Sequence, residues 1–566
     1  MYDAEKDDVT FESLPRYVRA QPLTSLKLRL TQGWRRHYTP LFIRTATREL
    51  RLVQLDRLTA TVPAEAGANT LPPLRLHPQL YEISTVPWLL RLSKQHSRSI
   101  DISRVPHSEW ERLRGLGFDL IYLMGVWKRS PEGRRLSRSQ TSLFKRYDEC
   151  LPGWTLNDVP GSPFSIQAYE PDPLIGSWDD FEVLHRQLNE LGMRLILDVI
   201  PNHTGPDHHW ITEHPEYYIR GTLAQYRANP GNFFIAENSA GVGEIVAYGR
   251  DPYFAPWTDT AQLNYFNPAL RKAMIEQVRR IAEICDGARC DMAMLILNDH
   301  FHQTWESALG STAAPREEFW QEATRALPNF IWIAEAYSDS EWALQQLGFN
   351  FTYDKRLYDR LRDGFVRDVY LHLKADWEFQ RRSVRFLENH DEARAATVFG
   401  KARLPAVAVL ASTVPGMHFF NDGQFEGFQK QLVVQLSRAQ EESADPEIQR
   451  IYEKVLTIAD SPEFHSGTWK LLELKDSGDH TNSDLIAYRW NDAARQKFVV
   501  VNLGSGNATG RIYFDDDALS GNGLRFDDLL NDRSYERPTA DLKRWGLFVK
   551  LAGFGAHIFD VKTTTG

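Results

Sequence analysis

Four apolar segments of this chain end in acidic side chains, and these side chains are the first candidates for chemistry. The residues are Asp198, Asp291, Glu335 and, in VRFLENHD, Asp391. An apolar strand gains nothing from a buried carboxylate unless that group is paired or used. One such residue alone is more often a helix cap or a salt-bridge partner, but four segments that end alike favour a shared site.

Two carboxyl groups in different protonation states are what the cleavage of a glycosidic bond requires. One gives a proton to the leaving oxygen, and the other is ionised and faces the anomeric carbon. Arg289 lies two residues before Asp291, so both side chains point to one face and the guanidinium can keep Asp291 ionised. Glu335 has no cation immediately beside it in the sequence, which makes it the candidate for a raised pKa and for the acid.

The segments that must position these side chains alternate short apolar runs with amphipathic helices from Leu80 onwards. This alternation predicts an α/β fold with a parallel sheet. The predicted strands are YEIST, FDLIYLMGV, MRLILDVI, GARCDM, FIWIAEAY, VRFLENH and, with the weakest pattern, AVAVLAS. About eight units over roughly 380 residues favour a (β/α)8 TIM barrel, whose C-terminal face would collect the carboxylates.

Two of the predicted helices have recognisable ends. Ser177 can cap a helix whose apolar residues recur at helical spacing until Gly192 ends it. Asn267, followed by Pro268, starts another helix. Each of these helices leads into a strand that ends in a carboxylate.

Composition divides the chain into three parts. Residues 1–78 form an N-terminal extension of unknown role, and residues 79–460 form the predicted barrel. Residues 463–566 are rich in β-type runs and predict a C-terminal antiparallel β-sandwich. Within the barrel, residues 204–263 are rich in His, Pro, Gly and Tyr, which predicts a long excursion over the C-terminal face after strand 3.

The overall composition argues against several classes of partner. The net charge of -9 is modest for 566 residues and includes no basic block that could release counterions from nucleic acid. The N-terminus lacks a signal-peptide pattern, and no stretch reaches the roughly 18 apolar residues that span a bilayer. We therefore predict a cytoplasmic location and neither nucleic acid nor membrane as a partner. Cys150, Cys285 and Cys290 lack metal-ligand spacing, which favours buried thiols.

The four strand ends, taken in order, resemble the four motifs of the α-amylase family, glycoside hydrolase family 13. DVIPNH at 198–203 resembles the first motif and GARCDMAM at 287–294 the second. WIAEAY at 332–337 resembles the third, and FLENHDEAR at 386–394 the fourth. One motif alone would be weak, but four motifs in the family's order are a specific signal.

The resemblance implies a role for each matching residue. Asp291 would be the nucleophile, Glu335 the general acid/base, and Asp391 the carboxylate that binds sugar hydroxyls and stabilises the transition state. The further residues implied to contact the substrate or to support the site are Asp198, His203, Arg289 and His390.

The chain departs from the family pattern before Tyr169. The family often places a stacking tyrosine there in a GY segment, whereas this chain has GSPFSIQAY, in which Phe164 could stack on a sugar. The predicted substrate-binding set therefore includes Phe164 and Tyr169. Asn202 can be a calcium ligand in amylases, but its partners have no match here, and the adjacent pair His208 and His209 suits a metal poorly. We predict neither a metal nor a cofactor.

The segment NHTGPDHHW and the short insertion after strand 3, called domain B in this family, resemble exo-acting glucosidases and transferases more than endo-amylases. We therefore predict a retaining enzyme that cleaves or transfers α-glucosyl units of small α-glucosides or malto-oligosaccharides through a covalent glucosyl-enzyme. The sequence leaves open a glucosyl or maltosyl transferase, or a phosphorylase, with a non-water acceptor. It also leaves open a non-catalytic α-glucan-binding homologue, and it does not indicate an oligomeric state.

Overall fold

The computed structural model of the protein describes residues 71–237, 239–492, 495–514 and 521–564. In the N-terminal part it describes two short strands, Phe42–Arg44 and Leu50–Leu52, which pair antiparallel. The predicted N-terminal extension therefore lies mostly outside the described residues. The described residues from Leu71 onwards form one compact unit.

Eight parallel strands close into a barrel, which confirms the predicted TIM barrel. The strands are β1 Gln79–Ser84, β2 Leu120–Met124, β3 Arg194–Val199, β4 Gly287–Cys290, β5 Ile331–Ala334, β6 Phe351–Tyr353, β7 Ser383–Arg385 and β8 Met417–Asn421. Nearly all of their residues are buried, because one face of each strand fills the barrel interior and the other faces the surrounding helices.

Two barrel strands were not predicted from the sequence, and one segment that was predicted to be a strand is helical. β6 has only three residues, and β8 follows directly on a longer apolar stretch. The segment AVAVLAS belongs to the helix Ala395–Thr413 instead. A run that is buried on all sides shows no polar face, so its pattern does not distinguish a helix from a strand.

The helices begin and end where the sequence provides caps. Ser177 caps the helix Trp178–Glu190, and Gly192 follows it in the left-handed region at φ 74°. Asn267 caps the helix Pro268–Ile281. Both predicted starts are confirmed. Other helices around the barrel are Thr85–Gln95, His107–Gly115, Asn298–Leu309, Phe319–Ala326, Glu341–Gln346, Lys355–Asp363, Val366–Leu373, Trp377–Arg381, Ala395–Thr413 and Pro446–Ala459.

The excursion after β3 is built around a hairpin. Its strands are Phe233–Glu237 and Gly243–Ala247, preceded by the short helices Trp210–Glu213 and Leu223–Ala228. The strand Ala261–Gln262 pairs with His203–Thr204, so the segment leaves and re-enters the barrel at one point.

A second insertion, between β2 and the helix that precedes β3, was not predicted. Its strands Trp127–Arg129 and Ile166–Pro171 pair antiparallel, and the helices Pro131–Ser139 and Thr141–Cys150 lie between them. An apolar cluster packs this insertion against residues 430–442, which follow β8. The buried members of the cluster are Tyr147, Cys150, Leu151, Val159, Val433 and Leu436.

The C-terminal residues form two antiparallel sheets, as predicted. The order in the larger sheet is Thr468–Leu472, Leu485–Asp492, Arg495–Asn502, Ala556–Thr564, Gly523–Asp528 and Arg533–Pro538. The smaller sheet consists of Leu474–Lys475, Ala508–Ile512 and Leu547–Leu551. Apolar side chains of both sheets, Phe498, Phe526 and Val549 among them, share one buried cluster.

Trp490 joins the C-terminal sheets to the barrel. Its side chain is fully buried, and Nε1 donates a hydrogen bond to O of Thr413, at 2.7 Å, at the end of the helix Ala395–Thr413. The hydroxyl of Tyr488 shares a hydrogen bond of 2.6 Å with Oγ1 of the same threonine. Among the described residues this helix alone is long and apolar enough to span a membrane, and 56% of its apolar 18-residue stretch is buried within the fold.

Replacing Trp490 by alanine is expected to lower the free energy of unfolding by about 3–5 kcal/mol, because a large cavity opens at this junction. Urea-induced unfolding measures the loss. Trp545, which is half exposed at the end of the C-terminal helix Thr539–Trp545, is the matched control, and its alanine variant should change stability by less than about 0.5 kcal/mol. Equal losses in the two variants would show that Trp490 does not join the two parts.

Candidate active site

The pairing of β4 with β5 places two carboxylates side by side. Cys290 pairs with Ala334, and Asp291 and Glu335 are the next residues of the two segments. The backbone N–H of Glu335 still donates to O of Cys290, at 3.0 Å, so the parallel register extends to these residues. Asp291 is 6% exposed and Glu335 is 4% exposed, which puts both carboxylates in a largely dry environment.

The guanidinium of Arg289 connects the two carboxylates. Nη1 lies 2.7 Å from Oδ1 of Asp291, and Nη2 lies 2.8 Å from Oε2 of Glu335. Because the two nitrogens are bonded to the same carbon, the two carboxylates must lie close together. Two carboxyl groups next to each other are the arrangement that catalyses the cleavage of a glycosidic bond.

The expectation that Glu335 lacks a neighbouring cation is wrong. Arg289 is distant from Glu335 in the sequence, but the strand register brings it as close to Glu335 as to Asp291. Burial raises the pKa of both carboxyl groups, and Arg289 acts to lower both. The direction of the pKa therefore does not distinguish the acid from the nucleophile.

Glu335 is held by two further donors that the sequence analysis missed. The hydroxyl of Tyr337 donates to Oε1 at 2.7 Å, and the backbone N–H of Met292 donates to Oε2 at 2.7 Å. Met292 adopts a left-handed conformation at φ 43°, which turns the chain after β4 towards Glu335. These contacts fix the direction in which the carboxyl group of Glu335 points.

Asp198 supports the site from β3, where it pairs in register with Arg289. Its Oδ1 accepts a hydrogen bond of 2.5 Å from the hydroxyl of Tyr122, and its Oδ2 accepts one of 2.7 Å from N of Gly125. Arg289 lies 3.8 Å away. With both oxygens engaged by the protein, Asp198 is placed to orient Arg289 rather than to bind a sugar directly.

Asp391 lies on the loop after β7, and its side chain is half exposed, unlike the other two carboxylates. Nε2 of His390 is 3.1 Å from Oδ2 of Asp391. The loss of water around the part of Asp391 that faces the protein acts to raise its pKa, but the neighbouring His390 outweighs this effect and holds the pKa of Asp391 at about 2. Asp391 is therefore ionised at the entrance to the site.

His390 is buried between Asp391 and a second carboxylate, Glu82, at the end of β1. Nδ1 of His390 lies 2.5 Å from Oε1 of Glu82, and the backbone N–H of His390 donates to Oε2 at 3.1 Å. Burial acts to lower the pKa of His390, but Asp391 and Glu82 outweigh it and hold the pKa well above its ordinary value. Glu82 lies within the run YEIST, two residues before the end of β1, so a search for carboxylates at the ends of apolar runs does not find it.

His203 lies close to Glu335 but differs from His390 in its charge. Its ring is buried, with the ring of Trp257 at 5.4 Å between centroids. Burial lowers its pKa to about 4, so the imidazole is neutral near pH 7. A neutral histidine can donate one hydrogen bond and accept another, which suits contact with a hydroxyl group.

The two aromatic residues in the predicted substrate-binding set lie in different places. Phe164 stacks on His390 at 5.3 Å between ring centroids and lies 5.3 Å from the guanidinium carbon of Arg289. Tyr169 instead points into the core. Its buried hydroxyl donates to O of Ile200 at 3.0 Å and accepts from N of Ile200 at 2.8 Å, so it is not available to a sugar.

No group of three or more His, Cys, Asp or Glu side chains among the described residues is arranged to hold a metal ion. Oδ1 of Asn202 accepts a hydrogen bond of 3.0 Å from Nε2 of Gln262. His208 and His209 stack on each other at 4.4 Å. The cysteines are free and buried, as predicted, at Cys150, Cys285 and Cys290.

Comparison with known proteins assigns the chain to a family. The family model described as "Alpha amylase, catalytic domain" matches residues 111–470. The chain belongs to the alpha-amylase family. Its homologues in the alpha-amylase family are glycoside hydrolases and transglycosylases, and this is the class of enzyme to which the chain belongs.

Individual relatives within the alpha-amylase family are distant. Alpha-amylase 3 from Dictyoglomus thermophilum is 24% identical over 286 residues, which are 46% of this chain and 52% of that protein. Alpha-1,4-glucan:maltose-1-phosphate maltosyltransferase from Rhodospirillum rubrum is 35% identical over 126 residues, 21% of this chain and 16% of that protein. The chain thus spans about half or less of the length of these curated relatives.

A solved structure in the alpha-amylase family matches over most of the chain. It is the noncanonic maltogenic alpha-amylase AmyB from Thermotoga neapolitana, with a TM-score of 0.62 and 22% sequence identity. The match covers 86% of this chain and 98% of that one. At this identity the match establishes the fold alone.

Proposed function

We propose that the protein is a retaining enzyme that cleaves or transfers α-glucosyl units of small α-glucosides or malto-oligosaccharides. The observation that carries the proposal is the single guanidinium of Arg289, which holds Asp291 and Glu335 next to each other at the C-terminal face of the barrel. Membership of the alpha-amylase family supplies the class of reaction.

The proposed reaction has two steps. In the first, the carboxylate of Asp291 attacks the anomeric carbon while Glu335 gives its proton to the leaving oxygen. In the second, the ionised Glu335 removes a proton from water or from a sugar hydroxyl, which displaces Asp291 from the glucosyl-enzyme. Asp391, which His390 contacts, binds sugar hydroxyls, and these hydrogen bonds tighten as positive charge develops on the ring.

Short substrates are supported by the way in which two segments cover the side of the site near Asp391. Nε2 of Gln431 donates to O of Asp391 at 2.7 Å, so residues 430–442 lie against the catalytic loop. Nε of Arg438 binds Oδ1 of Asp158 at 2.6 Å and ties these residues to the insertion after β2. A site that is covered on one side favours the end of an oligosaccharide over the interior of a long glucan.

Transfer to a sugar is the second candidate for the outcome of the second step, and the similarity to a maltosyltransferase favours it. Phosphorolysis has less support. Arg394 and Lys401 follow Asp391 in the sequence, but both are already paired. Nη1 of Arg394 lies 2.6 Å from Glu388, and Nζ of Lys401 lies 2.5 Å from Asp445.

The test of the proposed function is product analysis by NMR with sucrose, trehalose, maltose and malto-oligosaccharides, with and without phosphate. We expect first products in the α configuration from the wild-type protein and no turnover from Asp291→Asn. First products in the β configuration would contradict a retaining mechanism. A folded wild-type protein that binds glucan but turns over none of these donors would support the non-catalytic alternative.

The predicted cytoplasmic location, without a nucleic-acid or membrane partner, is also part of this proposal. Fractionation of cells that express the tagged chain tests it. We expect the protein in the soluble cytoplasmic fraction, and recovery with membranes or with the culture medium would contradict the proposal.

A further inference from the structure

The buried pair formed by Glu82 and His390 links β1 to the loop after β7, two strands away in the barrel. Glu82 is fully buried and uses both of its oxygens on one residue: Oε1 faces Nδ1 of His390 at 2.5 Å, and Oε2 accepts from the backbone N–H at 3.1 Å. This bidentate contact fixes the ring and the backbone of His390 together. The ring can then turn only by breaking a buried, charge-assisted hydrogen bond.

The contact with Glu82 also determines where the second ring nitrogen points. With Nδ1 bound to Glu82, Nε2 faces Oδ2 of Asp391 at 3.1 Å. Phe164 covers the face of the imidazole, with 5.3 Å between ring centroids. His390 is thus restrained on one edge and on one face, and its remaining edge is directed at the carboxylate proposed to bind the sugar.

The charges around the imidazole are predominantly negative. Glu82 from β1 and Asp391 from the loop after β7 face the imidazole directly. Asp198 from β3 also interacts electrostatically with His390. Two cations also act on Asp391: Arg289 from β4 and, more weakly, Arg146 from the insertion after β2. Two directly facing carboxylates stabilise a proton on the imidazole, so that both ring nitrogens donate.

We propose that Glu82 is a positioning residue for the reaction, which keeps His390 protonated and aimed so that Asp391 stays ionised and correctly placed. The inference rests on the proposed function, because it assumes that Asp391 binds the sugar. Glu82 itself does not touch the substrate in this proposal. It acts through His390, and both its charge and its bidentate geometry contribute.

The substitution Glu82→Gln keeps the size of the side chain but removes its charge, and its amide can satisfy only one of the two donors of His390. We expect kcat/KM to fall by about 10- to 100-fold. We also expect the imidazole of His390 to lose its proton at a pH lower by about 1–3 units, because one of two facing carboxylates is gone. Because the alkaline limb of the kcat/KM profile reports loss of the proton from Glu335, this shift is measured on His390 itself.

Asp528→Asn is the matched control, because Oδ2 of Asp528 lies 2.5 Å from Nδ1 of His557 in the C-terminal sheets. It removes the same kind of pair away from the site, and we expect the titration of His390 to be unchanged. The titration of His390 is followed by NMR of histidine labelled with ¹³C at ε1, with His390→Gln used to assign the signal. This readout does not require turnover.

A double-mutant cycle separates positioning from a general loss of structure. If Glu82 acts through His390, Glu82→Gln should cost little in a His390→Gln background, so the two losses are not additive. Additive losses, or an unchanged titration of His390 in Glu82→Gln, would overturn the inference. Failure of the wild-type protein to turn over any donor would instead count against the proposed function, while the NMR titration would still test the pair.

Discussion

Replacing Asp291 by alanine is expected to lower kcat by about 10⁴- to 10⁶-fold on every donor, the largest effect of any substitution in the site. Without this carboxylate no group remains to form the covalent intermediate, although Arg289 keeps its contact with Glu335. Initial rates with α-glucosyl fluoride measure the loss. Azide should restore part of the rate by entering the vacated space and attacking from the same side, which yields β-glucosyl azide.

The stereochemistry of the azide product makes the prediction specific to the nucleophile. An α-glucosyl azide from Asp291→Ala would assign the nucleophile to another residue. The matched control is Glu318→Gln, since burial also raises the pKa of that carboxyl group, to about 7, but Glu318 accepts from the backbone N of Asn298, away from the site. Its kcat should stay close to that of the wild-type protein.

The second large effect is expected for Glu335→Ala, and it should depend on the leaving group. On maltose or trehalose, whose leaving oxygen needs a proton, kcat/KM should fall by about 10²- to 10⁴-fold. On α-glucosyl fluoride, whose leaving group needs no proton, the first step should be nearly unaffected. Azide should then attack the glucosyl-enzyme on Asp291 and give α-glucosyl azide, the opposite of the product from Asp291→Ala.

Tyr337→Phe is the comparison for this prediction, because it removes only the hydroxyl that donates to Glu335. We expect a loss of about 10-fold at most, consistent with one hydrogen bond. If Glu335→Ala were equally slow with glucosyl fluoride and with maltose, Glu335 would not be the general acid.

The sequence predicts six of the eight barrel strands because each contains a distinct apolar run, and four of these runs end in a carboxylate. β6 escaped because three residues are too few to show a pattern. β8 escaped because the helix Ala395–Thr413 and the strand form one nearly continuous apolar stretch. The insertion after β2 was missed for another reason, since its short strands are recognisable only from their pairing with each other.

Within the site, the identity of the charged residues could be predicted, but their partners could not. Spacing along one strand correctly places Arg289 beside Asp291. Its equally short contact with Glu335 depends on the register between two strands, which is not visible along the chain. The role of Tyr169 could not be predicted for the same reason, because its hydroxyl is hydrogen-bonded to the backbone of Ile200, which lies in a distant segment.

The guanidinium shared by Asp291 and Glu335 has a consequence for the timing of the proposed reaction. When Asp291 becomes an ester, it carries no charge, and its repulsion of Glu335 disappears while Arg289 remains. The proton affinity of Glu335 then falls at the moment when it must act as a base. When the ester is broken, the negative charge returns to Asp291 and Glu335 regains its affinity for a proton. The reaction itself therefore restores Glu335 as the acid for the next turnover.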